Sequence, residues 1–172
     1  MNHVITKVIS GGQTGADQGG IYGAAKAGIE TGGWMPFGFM TENGPNPEFA
    51  AKYGLKECED QGSDSKNYSI RTGRNVFDSD GTIRIAADFS TRGEVCTKNA
   101  IGRHGKSFLD IKFDRIEPHS VKYILEHFKD WVDSNNIRTL NVAGNCESNA
   151  PGIAKYTESL IYELIKAVNH AT

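Results

Sequence analysis

The stretch Val8-Ile9-Ser10-Gly11-Gly12-Gln13-Thr14-Gly15-Ala16-Asp17 decides the fold. It reads as a buried strand running into a glycine-rich turn and then a helix. Three glycines in five positions strip the turn of side chains, so a ligand can approach main-chain N–H groups closely. The helix behind it opens with unpaired donors and a partial positive charge, which suits a phosphate or another compact anion. The spacing is neither G-x-G-x-x-G nor G-x-x-x-x-G-K-S/T, so neither the dinucleotide fingerprint nor the P-loop reading applies.

Outward from this stretch, the helix over 16–27 carries Gly20, Gly23, Ala24 and Ala27 on one face. Interior glycines cost about 1 kcal/mol each against alanine, so docking of that small face against a sheet must hold the helix. A short strand follows at Thr31 to Pro36, and residues 41–66 read as a long irregular flap beside the ligand site. A short helix over 67–77 leads into the turn Asp78-Ser79-Asp80-Gly81. Strands are expected over 82–89, 107–112 and 139–143, with helices over 93–104, from Pro118 through Val132, and from Pro151 onward. Val121, Ile124, Leu125, Phe128, Trp131 and Val132 make one amphipathic stripe; Ile153, Tyr156, Leu160, Ile161, Leu164, Ile165 and Val168 make another. Strands alternating with helices predict a single α/β domain over 1–172, Rossmann-like, with a mainly parallel sheet of about five or more strands covered on both faces.

With 172 residues, 38% apolar content and a net charge of −2, the chain has the balance of an ordinary soluble domain. A pI near 6.2 gives no electrostatic footprint for nucleic acid. No apolar run is long enough to span a bilayer, and Asn2 and His3 do not begin a secretory leader, so a cytoplasmic location is expected. Cys58, Cys96 and Cys146 include no C-x-x-C pair, and the histidines have no metal-ligand spacing, so no tightly bound metal is expected.

In such sheets ligands bind outside the carboxyl ends of the strands. That rule selects the loops at 10–17, 33–38, 87–97 and 144–152, and with them Gly33, Trp34, Gly93, Thr97, Gly144, Glu147 and Ser148. Gly11, Gly12, Gln13, Thr14 and Gly15 would supply donors. Trp34 would stack on a ring, and Gly93 with Thr97 would line the opposite wall. Two readings stand side by side at several positions. Thr14 with Asp17, and Thr91 with Glu94, spell capping boxes as well as ligand contacts. Ser148 or Asn149 before Pro151 is equally an N-cap. The Asp78-Ser79-Asp80-Gly81 pair of carboxylates reads as a turn or as a metal site. Arg71 is either a solvated helix-face residue or a fork donor to a phosphate or carboxylate.

Several blocks taken together resemble the molybdenum cofactor carrier family, a branch of the Rossmann-like SLOG superfamily. They are the opening stretch from Ile9 to Asp17, Gly32-Gly33-Trp34 with Pro36, Arg71-Thr72 with Asn75-Val76, and Asp78-Ser79-Asp80-Gly81-Thr82. Leu140-Asn141-Val142-Ala143-Gly144, with Glu147-Ser148 and Pro151-Gly152-Ile153, completes the set. The resemblance implies an anionic heterocyclic ligand at the glycine loops, either a molybdenum cofactor or a nucleotide derivative, and a homodimer or homotetramer. The superfamily also holds lysine-decarboxylase-like phosphoribohydrolases, which pair an arginine with a glutamate after a P-G-G-x-G-T loop. Arg71 sits where their arginine would, but Asn99 or Ala100 occupies the glutamate position. A hydrolase reading would need Asp17, Glu94 or Glu147 instead, and a nucleotide-sensing regulator is the third reading. The chain departs from the carrier pattern at Phe37, Phe39, Glu94 and Asn145-Cys146. These changes predict a less anionic ligand with more stacking on Trp34, Phe37 or Phe39, unless those rings serve the core or an oligomer contact.

Overall fold

The computed structural model describes residues 4–114 and 121–170. Six parallel strands form the main sheet in the order β5-β2-β1-β8-β6-β7. They are β1 (Lys7–Ser10), β2 (Glu30–Met35), β5 (Leu55–Glu57), β6 (Gly81–Ala86), β7 (Ser107–Lys112) and β8 (Thr139–Gly144). The helices are α1 (Ala16–Lys26), α2 (Pro47–Tyr53), α3 (Asp64–Asp78), α4 (Arg92–His104), α5 (Val121–Asn135) and α6 (Ile153–Asn169). A small antiparallel hairpin, β3 (Met40–Thr41) with β4 (Gly44–Pro45), stands apart from the sheet.

Right-handed crossovers decide which helix covers which face. From β1 to β2, β2 to β5 and β7 to β8 the chain moves one way across the sheet, which puts α1, α2 and α5 on one side. From β5 to β6 and β6 to β7 it moves the other way, which puts α3 and α4 opposite. β8 enters between β1 and β6, so the direction of winding reverses at the centre of the sheet. That reversal opens a crevice at the carboxyl ends of β1, β8 and β6.

The two faces are unequal. Ile21, Ile83, Ile85, Phe128, Leu140, Ile153, Ile161 and Leu164 belong to one large apolar core. The α3–α4 side holds a much smaller cluster of Val76, Ala100 and Ile101, with Phe108 packed on it. Polar side chains take up the rest: Asn75, Thr82, Arg84, Glu94, Thr97 and Asn141 are all buried. A polar layer of this kind is costly unless every group is matched, so unmatched groups within it are informative.

The small face of α1 lies against more than the sheet. A Cβ on Gly20 would come 2.6 Å from the Val142 side chain on β8, as expected. On Gly19 and Gly23 it would come 2.4 Å and 2.5 Å from main-chain carbonyls of α6. The glycines therefore let two helix backbones touch, which side chains would prevent.

Three further expectations are corrected. Residues 41–66 are not an irregular flap: they contain the hairpin, α2 and an edge strand paired in parallel with β2. Asn46 caps α2 by accepting from Phe49 N at 3.2 Å, and Pro47 takes the first helical position, so Asn46-Pro47 is a helix start. The strand expected over 82–89 ends at Ala86, because the Asn145 side chain takes the Ala87 and Asp88 amides that a neighbouring strand would need. α3 starts at Asp64, three residues before the expected helix at 67. The Pro118 helix start lies outside the described residues. In the Asp78–Gly81 turn, Asp80 accepts from Arg138 N and Thr139 N, and Asp78 accepts from Trp34 Nε1. Both carboxylates are thus structural.

Candidate functional site

The glycine turn after β1 is built as a tight knot. Gly15 has φ +80°, and a Cβ there would lie 2.4 Å from the Asn145 carbonyl, so only glycine is tolerated. The donors of the knot are used internally. Gly12 N donates to Ser10 Oγ, Gln13 N to Asp17 Oδ2, Thr14 N to Gln13 Oε1, and Ala16 N to the Asn145 carbonyl. Of the amides expected to face a ligand, those of Gly12, Gln13 and Thr14 are therefore held by the protein's own side chains.

Asp17 is the centre of that knot. It is 3% exposed and also accepts from Arg71 Nη1 at 3.0 Å. Burial pushes its pKa up, and the Arg71 guanidinium opposes that push. Arg71 is not the solvated alternative: its side chain is 13% exposed and lies across Gly11, where a Cβ would meet its Nη1 at 1.8 Å. Its Nε is buried without an acceptor among the described residues.

A second carboxylate closes the turn from outside. Glu42, on the hairpin between β3 and β4, accepts from Thr14 Oγ1, Ser148 Oγ and Ser148 N. Burial works against its ionisation, but the hydrogen bonds from Ser148 and Thr14 win and lower its pKa. The capping-box reading of Thr14 is thereby overturned, since Thr14 serves Glu42 while α1 has Gly15 at its N-cap. At α6 neither Ser148 nor Asn149 caps; Glu147 accepts from Gly152 N and Ala154 N. Glu42→Ala should free the hairpin, measured as faster amide exchange over Met40 to Gly44. Global stability should stay within about 1 kcal/mol of wild type, as is usual for an exposed residue.

The open space lies beside this knot. A cavity of about 550 Å³ sits between α3, α4 and the loops after β1 and β8. That is the size of a nucleotide-scale site. Gln13, Asp17, Arg71, Gly93, Thr97 and Gly144 line it, as the sequence analysis expects. Gly11, Gly12, Thr14, Gly15, Gly33, Trp34, Glu147 and Ser148 do not. Trp34 is bound instead to Asp78 and stacked under Arg74, with the guanidinium carbon 4.6 Å from the ring centroid. Phe37 is exposed and Phe39 packs against the large core.

α4 presents its first turn to the cavity. Thr91 stands at the N-cap without a side-chain cap, and a Cβ on Gly93 would meet nothing within 4 Å. The amides of this turn have no intrahelical acceptor, so here the anion-binding property of a helix start remains available. Arg92 reaches the mouth and donates to Ser65 Oγ at 3.3 Å.

Glu94, read as a capping-box partner, does not cap. It is 1% exposed and lines the cavity, with Arg84 Nη1 3.6 Å from its Oε2, an atom without a hydrogen-bond partner among the described residues. Arg84 is already committed by two bonds to Asp110 and one to the Glu94 carbonyl. Burial raises the Glu94 pKa to about 7; Arg84 resists, while Asp17 and Asp110 add to the rise. Among the described residues no cluster of three or more His, Cys, Asp or Glu side chains could hold a metal, and no helix is long and apolar enough to cross a membrane.

The sequence matches the model of the circularly permutated YpsA SLOG family over residues 8–165. The chain belongs to that family. Comparison with curated proteins found no match. The chain is also similar to a protein of Syntrophus aciditrophicus SB, whose crystal structure names it a "Putative molybdenum carrier protein". The two are 36% identical with a TM-score of 0.82, over 96% of this chain and 97% of that one. As a member of the SLOG family the chain keeps the Rossmann-like arrangement, with the cavity at the sheet's reversal point.

Sequence reasoning missed one wall of the site. Asp64, Ser65, Tyr68, Ser69 and Thr72 line the cavity together with Arg71. They recur at helical spacing on α3, and the expected start at 67 left Asp64 and Ser65 outside the helix. Cys96, Asn145, Cys146 and Asn149 also line it.

Proposed function

We propose that this SLOG protein is a small-molecule binding or carrier protein that takes a phosphorylated heterocycle into the cavity. The ligand class is a molybdenum cofactor or a nucleotide derivative, in line with the name carried by the Syntrophus protein. The observation that carries the reading is a nucleotide-sized cavity facing the uncapped first turn of α4. The phosphate would sit at the mouth, beside Gly93 and Arg92. The ring would lie inward, near Gln13, Arg71 and Thr97.

The residues present suit a pterin-type group on two counts. The inner wall holds buried polar atoms without partners, on Arg71 and Glu94, and the mouth holds amide donors and a cation. Among the described residues the wall has no metal-ligand cluster, so a molybdenum ion would come as cargo on its own organic scaffold.

Calorimetric titration with nucleoside monophosphates and a pterin monophosphate tests the proposal. Binding at micromolar level is expected, and Gly93→Asp should weaken it at least about tenfold by placing a carboxylate against the phosphate. The melting temperature should not fall, because the new side chain meets open space and an acidic residue is favoured in a helix's first turn. A folded wild-type protein that binds nothing in the panel, or a Gly93→Asp variant that binds as well as wild type, would refute it. Native mass spectrometry of the freshly purified protein would reveal both a retained ligand and the expected homodimer or homotetramer.

One observation favours a hydrolase as second reading. Of the three carboxylates available to that chemistry, Asp17 is tied to Arg71 and Glu147 is spent on α6. Glu94 remains, with a proton held to about pH 7 and Arg71 on the same cavity wall. A carboxyl of that pKa can serve as a general acid or base near neutrality. Release of free base from a nucleoside monophosphate, lost in Glu94→Gln, would establish that reading; no release over a day at micromolar enzyme would dismiss it.

A further inference from the structure

We propose that Glu94 selects the ring of the ligand, its carboxyl accepting the paired N–H donors of a 2-amino-4-oxo-pyrimidine edge, the edge that guanine and pterins share. This rests on the binding reading above. Three neighbouring carboxylates are already satisfied, Asp17 by Gln13 and Arg71, Glu42 by Thr14 and Ser148, and Glu147 by the start of α6, while Asp64 on the same cavity is exposed to water. The Glu94 carboxyl, buried against the same cavity, accepts no hydrogen bond among the described residues. Arg84 cannot repair this, since Asp110 and a main-chain carbonyl hold its guanidinium 3.6 Å away.

A buried acceptor left open this way is expensive, and a ligand that supplies donors recovers the cost. A carboxylate offers two parallel acceptors. The matching ligand therefore presents two parallel donors, which are the ring N–H and the exocyclic amine of a 2-amino-4-oxo-pyrimidine. The same edge continues with a carbonyl oxygen, an acceptor. Arg71 also lines this cavity, and its buried Nε has no partner among the described residues. Placed beside that carbonyl, it would gain the acceptor it lacks. Adenine would set a ring lone pair against the carboxylate. Hypoxanthine keeps the ring N–H but lacks the amine, so it can satisfy only half of the group.

The test compares guanosine, inosine and adenosine 5′-monophosphates and a pterin monophosphate by calorimetry on the full chain. The guanosine and pterin ligands should bind at least about tenfold more tightly than the inosine and adenosine ones, a usual size for one well-made ring-edge contact. Glu94→Gln keeps the side chain's shape but turns an amide N–H toward those donors, so it should bring the four affinities within about threefold. The wild-type ratios decide the matter even if the variant folds poorly. Equal affinities for guanosine and adenosine monophosphates would overturn the selection by Glu94 while leaving the binding protein intact. Absence of any binding would overturn both. Base release from the guanosine ligand, lost in Glu94→Gln, would place the carboxyl at the glycosidic bond and overturn the ring contact.

Discussion

Arg71→Ala is expected to lower the folding free energy by about 3–5 kcal/mol, the usual penalty for stranding one member of a buried ion pair. Asp17 is 3% exposed and its carboxylate gathers Arg71 together with the amide of Gln13. Without the guanidinium, desolvation would act on Asp17 unopposed and drive it toward the neutral form. A neutral Asp17 holds the glycine knot less firmly, so the loop should loosen before the sheet does. Urea denaturation of Arg71→Ala, Asp17→Asn and the double variant measures this. The double variant should lose clearly less than the sum of the singles, because both remove the same interaction. A single-variant loss below about 1 kcal/mol, the range of a surface pair, would mean that the pair does not anchor the turn.

The second large effect is one of pH. Glu94 titrates near 7 in the folded chain, against an ordinary value of 4.5. The folded state therefore holds a proton that the unfolded state has released between those values. Stability must fall as pH rises through that window, and the loss is complete above about 7. At 1.36 kcal/mol per pH unit the total is about 3 kcal/mol. Glu94→Gln mimics the protonated form and removes this dependence. It should match wild type below about pH 4 and exceed it by up to about 3 kcal/mol at pH 8, read from denaturation midpoints at each pH. A variant less stable than wild type at pH 8 would mean that the ionised carboxylate is welcome in the fold. The attraction to Arg84 would then outweigh burial.

The α/β architecture was legible because it rests on periodicity. The stripe from Ile153 to Val168 and the buried strands Val8–Ile9 and Leu140–Val142 could take only one kind of partner. The edge strand Leu55–Glu57 was not legible, since it has three residues, two of them charged and exposed. Its identity comes from pairing with β2, which no local signal encodes. The site was legible by place more than by part. The rule for sheet carboxyl ends pointed to the crevice that holds the cavity and to six of its lining residues. It could not tell which amides were free, because that depends on where Glu42 and Arg71 land, 28 residues from Thr14 and 54 from Asp17. Trp34 illustrates the same limit. A tryptophan at the end of a strand can face a ligand or a neighbouring helix, and Asp78 with Arg74 settled it for the helix.

The central claim is that ligand binds beside the first turn of α4 and not on the amides of the glycine turn. Amide chemical-shift mapping of the isotope-labelled protein, titrated with its tightest nucleotide or pterin monophosphate, tests it most directly. The account predicts the largest shifts at Arg92, Gly93, Thr97 and Arg71, with Gly12 and Thr14 little changed. Shifts centred on Gly12, Thr14 and the Glu42 hairpin, or on Trp34 and Phe37, would contradict it.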